Sequence, residues 1–309
     1  MNRRNFLKIA GIGTLVIPLI NGCSSAKPNQ LEDFVNFPTE IPGVEKVEKF
    51  QVEGAKYCLV HIRQRHYVDF NPNDPVDKIL GLNRPTKKVL ESINSHQKSI
   101  YEILLYLKQK GTTSSVYLDG VDSSMLEMIR KITLIPEDDE LIREVEDLES
   151  KLKERIIWNV PERYTPEKLI QEYQQKIEAA KKRLAGHNER YKYFYGGGLR
   201  LVLEGKIDPR FEDLSLNHKA YEEIEKGRLG LAVFDDREDD VLKSIAQGSE
   251  RLAVVEFGGA HAWGGKESCG ENYSLAGRKS YKDNIAEWNK SHPDKKFCLI
   301  EITPRGYEK

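Results

Sequence analysis

The chain has no excess of charge of either sign. Its 309 residues include 48 lysines and arginines against 49 aspartates and glutamates, for a formal net charge of −1. Cleavage of residues 1–22 would remove three basic residues and leave 45 against 49, a net charge of −4. Binding to nucleic acid requires a basic surface that neutralises phosphates. The composition therefore argues against a nucleic-acid partner, while 39% hydrophobic residues suffice to bury one substantial core.

Cysteine is scarce, with four residues in the whole chain. After Cys23 only Cys58, Cys269 and Cys298 remain, an odd number that allows at most one internal disulfide. Cys58 and Cys298 both fall in predicted strands. The sequence favours two separate buried thiols there, and a disulfide between them stays open because connectivity cannot be read from sequence.

The N-terminal apolar run, from Ile9 to Ile20, is too short to span a bilayer stably. Arg3 and Arg4 precede it, and the motif Ile-Asn-Gly-Cys follows it and ends at Cys23. The two motifs resemble a twin-arginine export signal and a bacterial lipobox. They predict a signal peptide over residues 1–22 and a lipoprotein anchored in the cell membrane through Cys23, facing outside the cytoplasm. An uncleaved N-terminal anchor is the alternative.

The next segments predict a tether and then a folded domain. Residues 23–50 contain three prolines and no sustained hydrophobic period, which is typical of a tether, so the domain is placed at 51–309. The stretches AKYCLVHI and SSVYLDG have strand composition, and a helical pattern follows each, the second capped by Asp122 or Ser123. This alternation predicts an α/β fold with a largely parallel sheet flanked by helices.

A charged insertion interrupts the alternation at about residues 137–190. Apolar residues spaced four, three and four apart form a narrow stripe, at Leu141, Val145, Leu148 and Leu152. A second helical pattern starts at Pro166 and is predicted to stop at Gly186. We therefore predict an inserted α-helical hairpin with solvated charged faces, and a protein partner bound to it is the alternative.

Three polar side chains are predicted to meet at one edge of the sheet. His66 follows the first strand, Asp119 ends the second, and His261 follows the strand VVEFGG. The carboxyl ends of parallel strands share one edge, and ligands bind in the crevice outside it. Gly258 and Gly259 let the backbone turn there and approach a ligand.

Other residues add to this site or are assigned to packing. Arg237 is predicted near a helix start, where a cation opposes the helix dipole, so a nearby carboxylate or anionic substrate would explain it. Glu256 is a further candidate for the acid, because the sequence does not decide whether its side chain faces the crevice or the helices. The glycines at 196–198 lack the Lys-Ser/Thr of a phosphate-binding loop, so they favour close packing or a helix start. His61 and His96 are predicted to be hydrogen-bonded core histidines.

The order of these pieces resembles the superfamily that includes the Tiki and TraB proteins, the erythromycin esterases and the haem-uptake lipoprotein ChaN. Residues 258–261, Gly-Gly-Ala-His, are similar to the family's second Gly-x-x-His motif, and Asp119 stands where the family usually has Glu. The first motif, Gly-Glu-x-His, is replaced by Arg63 and Gln64 before His66. A glutamine amide forms hydrogen bonds but cannot take a proton at neutral pH as a carboxylate does.

The resemblance implies a metal-dependent hydrolase as the first function. His66, Asp119 and His261 would hold a divalent manganese, cobalt or zinc ion, and Arg237 would orient a carboxylate or an oxyanion. The resemblance to ChaN implies the second, a lipoprotein that binds haem or another ligand through His66 or Tyr67. The third is a catalytically degenerate relative that acts as an interaction protein through its helical hairpin.

Overall fold

Strands and helices alternate along the computed structural model, which describes residues 30–65, 86–130, 138–157, 166–211, 232–258, 263 and 284–307. The strands in these ranges are β1 (Val44–Phe50), β2 (Tyr57–Gln64), β3 (Ser115–Leu118), β4 (Asp208–Arg210), β5 (Leu252–Gly258) and β6 (Phe297–Pro304). The helices are α1 (Gln30–Val35), α2 (Lys87–Gln109), α3 (Ser123–Ile129), α4 (Asp139–Ile157), α5 (Pro166–Arg190), α6 (Gly197–Leu203), α7 (Ala232–Gln247) and α8 (Asn284–Ser291).

The strands form one sheet in the order β1-β6-β2-β5-β3-β4. All neighbouring pairs are parallel except β1 and β6, which are antiparallel. The predicted α/β class with a largely parallel sheet is therefore confirmed. Gln64 lies opposite Gly258, and Leu118 lies opposite Glu256, so β2, β5 and β3 end at the same edge of the sheet.

Both faces of the sheet are covered, which explains why its central strands are apolar almost throughout. On one face α1, α2, α3 and α6 pack over alternate strand residues such as Val60 and Val254. On the other face α7 and α8 pack over the intervening residues, among them Leu59, Val255 and Phe257. Each face therefore has its own apolar core.

The prediction that residues 23–50 form a tether is wrong for residues 30–50. Phe34, Phe37 and Ile41 are buried in the first core, and β1 is hydrogen-bonded along β6. The Lys49 ammonium donates to the carbonyl oxygens of Phe34 at 3.2 Å and Phe37 at 2.8 Å. The three prolines made this packing hard to predict, because they interrupt the periodicity that is typical of a helix or strand. They do not prevent single apolar side chains from entering a core.

The predicted helical hairpin is confirmed as α4 and α5, which pack antiparallel. Lys181 pairs with Glu149 at 2.8 Å, and His187 pairs with Asp138 at 3.2 Å. The predicted stop at Gly186 is wrong, since α5 continues to Arg190. A glycine in a helix costs only about 1 kcal/mol relative to alanine, so neighbouring turns can carry the helix past it.

Cys58 and Cys298 are buried thiols that lie opposite each other on β2 and β6 and form no disulfide, as the sequence favoured. Cys269 lies outside the described residues, as do Cys23 and the predicted signal peptide at 1–22. Within the described ranges, no helix is both long and apolar enough to cross a membrane.

Candidate functional site at the carboxyl edge of the sheet

Asp119 is the first residue after β3, and both its main chain and its side chain are bound to β5. Its amide nitrogen donates to the carbonyl oxygen of Glu256 at 3.3 Å, and its Oδ2 accepts from the Gly258 amide at 3.0 Å. Its Oδ1 accepts from the guanidinium of Arg237, with each side chain about one-tenth exposed. The structure therefore brings together Asp119, Arg237 and Gly258, three of the residues predicted to form the site.

Arg237 does not lie at the start of its helix, so the argument from the helix dipole is wrong. Helix α7 begins at Ala232, which places Arg237 in the second turn. Its guanidinium carbon lies 5.6 Å from the centre of the Phe257 ring, on the same side as Asp119. A carboxylate and an aromatic face together account for a buried arginine. The anion that the sequence pattern required is supplied by the chain itself.

The side chain of Glu256 faces helices α2 and α6, whereas the sequence had left open whether it faces the crevice or the helices. Only 1% of its surface is exposed, and its Oε1 accepts from Gln64 Nε2 at 2.8 Å. Burial raises the pKa of Glu256 to about 8, and the charge of Asp119 adds to the rise, while the amides of Gly198 and Gly197 oppose it. Glu256 therefore holds a proton at neutral pH.

The three glycines at 196–198 permit close packing, as the sequence favoured. A Cβ on Gly198 would lie 1.9 Å from Oε2 of Glu256, and one on Gly197 would lie 2.2 Å from the main-chain oxygen of Gln97. The Gly197 amide donates to the side-chain oxygen of Gln97 at 2.8 Å. Helix α6 can thus start directly against α2 and Glu256 only because these positions lack side chains.

The end of β2 is held by α2. Gln97 Nε2 donates to the carbonyl oxygen of Arg65 at 2.9 Å, and the Arg65 amide donates to His96 Nε2 at 3.2 Å. His96 is buried, so its prediction as a hydrogen-bonded core histidine is confirmed. These bonds fix the backbone immediately before His66.

A second polar cluster lies on the face of the sheet opposite to Glu256, the face covered by α7 and α8, and sequence reasoning missed most of it. His61 Nδ1 lies 3.0 Å from Oε2 of Glu301, and Arg63 Nε donates to the same oxygen at 3.1 Å. His61 is buried and hydrogen-bonded as predicted, but its partner was not foreseen. The buried Trp263 packs edge-on against the His61 ring, with 6.2 Å between ring centres. A lone glutamate in the apolar strand Phe-Cys-Leu-Ile-Glu-Ile-Thr was the available signal.

The two departures from the first family-like motif both contact buried acids. Arg63, where the motif has glycine, pairs with Glu301, and Gln64, where it has glutamate, donates to Glu256. The side chains alternate along β2, so the two contacts lie on opposite faces of the sheet. Both residues therefore have a defined place in the polar structure at this edge.

The predicted residues His66, Gly259 and His261 lie outside the described residues, as does Tyr67. The strands that precede the two histidines, β2 and β5, are neighbours that end in register. In the part of the chain that the structure describes, no group of three or more His, Cys, Asp or Glu side chains could hold a metal ion. Two of the three predicted ligands are not in that part.

Comparison with known proteins finds no relative for this chain: no protein-family model, no curated protein and no solved structure matches it. The resemblance to the Tiki, TraB, erythromycin esterase and ChaN superfamily therefore rests on the motif residues alone and stays a prediction. The function has to be argued from the geometry of the site.

The raised pKa of Glu256 predicts a loss of stability as the pH rises. An ordinary glutamate titrates near 4.5. The protonated carboxyl therefore makes its full contribution to the free energy of unfolding below pH 4.5. That contribution is lost as the pH rises through about 8, because the unfolded chain releases the proton at a lower pH than the folded protein does. One group changes the free energy of unfolding by at most about 1.4 kcal/mol per pH unit.

Glu256→Gln should remove this pH dependence, because the amide mimics the protonated carboxyl. Urea unfolding between about pH 5 and about pH 8 should give a flatter profile for this variant than for the wild type. Glu287→Gln, on the exposed face of α8, is the control and should follow the wild type. Parallel profiles for Glu256→Gln and the wild type would show that Glu256 is ionised in the folded protein.

Proposed function

We propose that the protein is a membrane-anchored hydrolase whose site lies at the carboxyl edge of the sheet around Asp119. The observation that carries the proposal is the double restraint on Asp119, which accepts from Arg237 and from the Gly258 amide at the tips of adjacent strands. A carboxylate held in one orientation at such an edge can direct a water molecule toward a substrate carbonyl or act as its base.

Glu256 supports this assignment by its protonation state. Because it carries a proton at neutral pH, it adds no second negative charge beside Asp119, and Arg237 balances Asp119 alone. Carboxyl groups that lie close together but differ in protonation are typical of hydrolytic sites. Glu256 is too deeply buried to meet a substrate, so we assign it to the support of Asp119.

We further propose that Asp119, with His66 and His261, holds a divalent manganese, cobalt or zinc ion. Carboxylate and imidazole are suitable ligands for these ions, and a carboxylate has about four lone-pair sites, so its bonds to Arg237 and Gly258 are compatible with ligation. Such an ion supplies a Lewis acid that activates water. Arg237 and Gly258 would keep the carboxylate in one orientation whether or not the ion is bound.

The N-terminal motifs support an export route and an anchor. We propose that residues 1–22 direct twin-arginine export and that a lipid on Cys23 holds the mature chain at the outer side of the cell membrane. Twin-arginine export carries proteins that are already folded, which suits a metal site assembled before export.

Hydrolysis by the full-length, detergent-solubilised protein tests the proposal. We expect wild type supplied with Mn²⁺, Co²⁺ or Zn²⁺ to cleave p-nitrophenyl acetate or a fluorogenic peptide library. Asp119→Asn should lower the rate by at least about 100-fold. Asp208→Asn, in the exposed strand β4 next to β3, is the matched control and should leave the rate unchanged.

Two results would contradict the hydrolase. One is a wild type that binds no metal by elemental analysis and cleaves neither probe. The other is a haem Soret band that is lost in His66→Ala, which would favour the ligand-binding alternative over hydrolysis.

A further inference from the structure

A continuous path of hydrogen bonds crosses the sheet from β6 to α7. It begins at Glu301 on β6, which accepts from Arg63 Nε and lies 3.0 Å from His61 Nδ1 on β2. His61 Nε2 lies 3.2 Å from the main-chain oxygen of Phe257 on β5. The path ends at Asp119 beyond β3, which pairs with Arg237 of α7.

One peptide unit joins the two halves of this path. The carbonyl oxygen of Phe257 and the amide nitrogen of Gly258 belong to the same peptide, and they point to opposite sides of β5. The oxygen meets His61 from β2, while the nitrogen donates to Asp119 Oδ2 from the β3 side. A change in the orientation of this peptide would therefore alter both contacts together.

The contact with Phe257 defines which ring nitrogen of His61 is the donor. A carbonyl oxygen can only accept, so the bond to Phe257 requires a proton on Nε2. Nδ1 faces both oxygens of Glu301, at 3.0 and 3.1 Å, and Arg63 Nε donates to Oε2 of the same residue at 3.1 Å. The His61 ring is thus held between Glu301 and the carbonyl group of Phe257.

The position of the cluster argues against a purely structural role. On the same face of the sheet, the preceding residues of β2 and β6 are the aliphatic Leu59 and Leu299. Aliphatic side chains would cover this face at no electrostatic cost, whereas buried ionised groups stabilise a fold little or not at all compared with apolar side chains. On β2 and β6, His61 and Glu301 follow these leucines toward the edge that carries Asp119.

We propose that His61, held by Glu301 and Arg63, is a positioning residue for Asp119 and acts through the Phe257–Gly258 peptide. A donor on the carbonyl polarises the peptide and strengthens its amide as a donor, so His61 tightens the bond from Gly258 to Asp119. The proposal deepens the proposed hydrolase, because it names what holds the carboxylate of that site from the other side of strand β5.

Nuclear magnetic resonance of the full-length, ¹⁵N-labelled protein in detergent tests the proposal without an activity assay. We expect Nε2 of His61 to carry the proton that is donated to the carbonyl oxygen of Phe257 in the wild type. Glu301→Gln keeps the shape of the side chain and replaces the carboxyl group beside Nδ1 with an amide. In this variant the Gly258 amide should exchange with solvent up to about tenfold faster, relative to the Val254 amide within β5.

Asn289→Ala is the matched control, because Asn289 is also buried and also bonds the main chain of β6, at Phe297. It should change Gly258 and Val254 exchange by the same factor. A wild-type His61 whose Nε2 carries no proton would overturn the proposal even if Glu301→Gln failed to fold. So would equal effects of Glu301→Gln on Gly258 and Val254.

The exchange result and the hydrolase assay can fail separately. If Asp119→Asn leaves hydrolysis intact while Glu301→Gln releases the Gly258 amide, the proposed function is wrong and the positioning of Asp119 stands. If Asp119→Asn abolishes hydrolysis while Gly258 exchange is unchanged in Glu301→Gln, the hydrolase stands and His61 is only a core residue.

Discussion

Gly197→Ala is expected to lower the free energy of unfolding by at least about 3 kcal/mol or to prevent folding. The added methyl would lie 2.2 Å from the Gln97 oxygen, 2.6 Å from the Tyr101 nitrogen and 2.9 Å from the Ile100 Cβ. Two of these atoms belong to the main chain of α2 and cannot move aside as a flexible side chain would. Urea unfolding followed by circular dichroism would measure the loss.

Gly186→Ala is the matched control for this substitution. Gly186 lies within helix α5, and among the described residues no atom beyond the adjacent backbone of that helix stands within 4 Å of the position that its Cβ would take. Alanine there should raise the free energy of unfolding by about 0.5 to 1 kcal/mol, because it is the better helix former. Similar stabilities for the two variants would show that α6 does not start against α2 as described.

Arg237→Met is expected to lower the free energy of unfolding by about 3 kcal/mol or more, since it breaks a buried ion pair and leaves Asp119 without its countercharge. Combination with Asp119→Asn should recover part of the loss, because the uncompensated charge is then removed as well. A double-mutant cycle measured by urea unfolding gives the coupling between the two residues.

The surface pair of Lys151 and Asp147 on α4 provides the comparison. Both side chains are about half exposed, so Lys151→Met should change the free energy of unfolding by less than about 1 kcal/mol. If Arg237→Met costs no more than Lys151→Met, or if the cycle shows no coupling, Asp119 does not depend on Arg237 for its orientation.

The order and class of most elements from β2 onward could be predicted from local signals in the sequence. The Asp122 cap is an example, because its carboxylate accepts from the Met125 amide three residues later, at 2.6 Å, and so needs no long-range information. The buried strands were visible as short apolar runs for the same reason. Sheet order was not predictable in this way, since β6 lies between β1 and β2 and the chain does not mark that pairing locally.

The residues of the candidate site likewise fall into those that the sequence could predict and those that depend on long-range pairing. Asp119 and Gly258 were found because residues at the ends of parallel strands share one edge whatever the strand order. The pairing of His61 with Glu301 was missed because it depends on the register of β2 against β6, which joins residues 240 positions apart. The facing of Glu256 was likewise undecided until α2 and α6 were placed over it.

The packing of α1 and β1 into the domain changes how far the protein can act from its anchor. If Cys23 carries the lipid, only six residues lie between it and Gln30, the first residue of α1, so the chain makes seven residue-to-residue steps. An extended chain spans at most about 3.6 Å per residue, so a linker from Cys23 to Gln30 reaches about 25 Å at most. A linker that ran to residue 50 would reach about 100 Å. The α/β domain would then stay close to the membrane surface instead of reaching far from it.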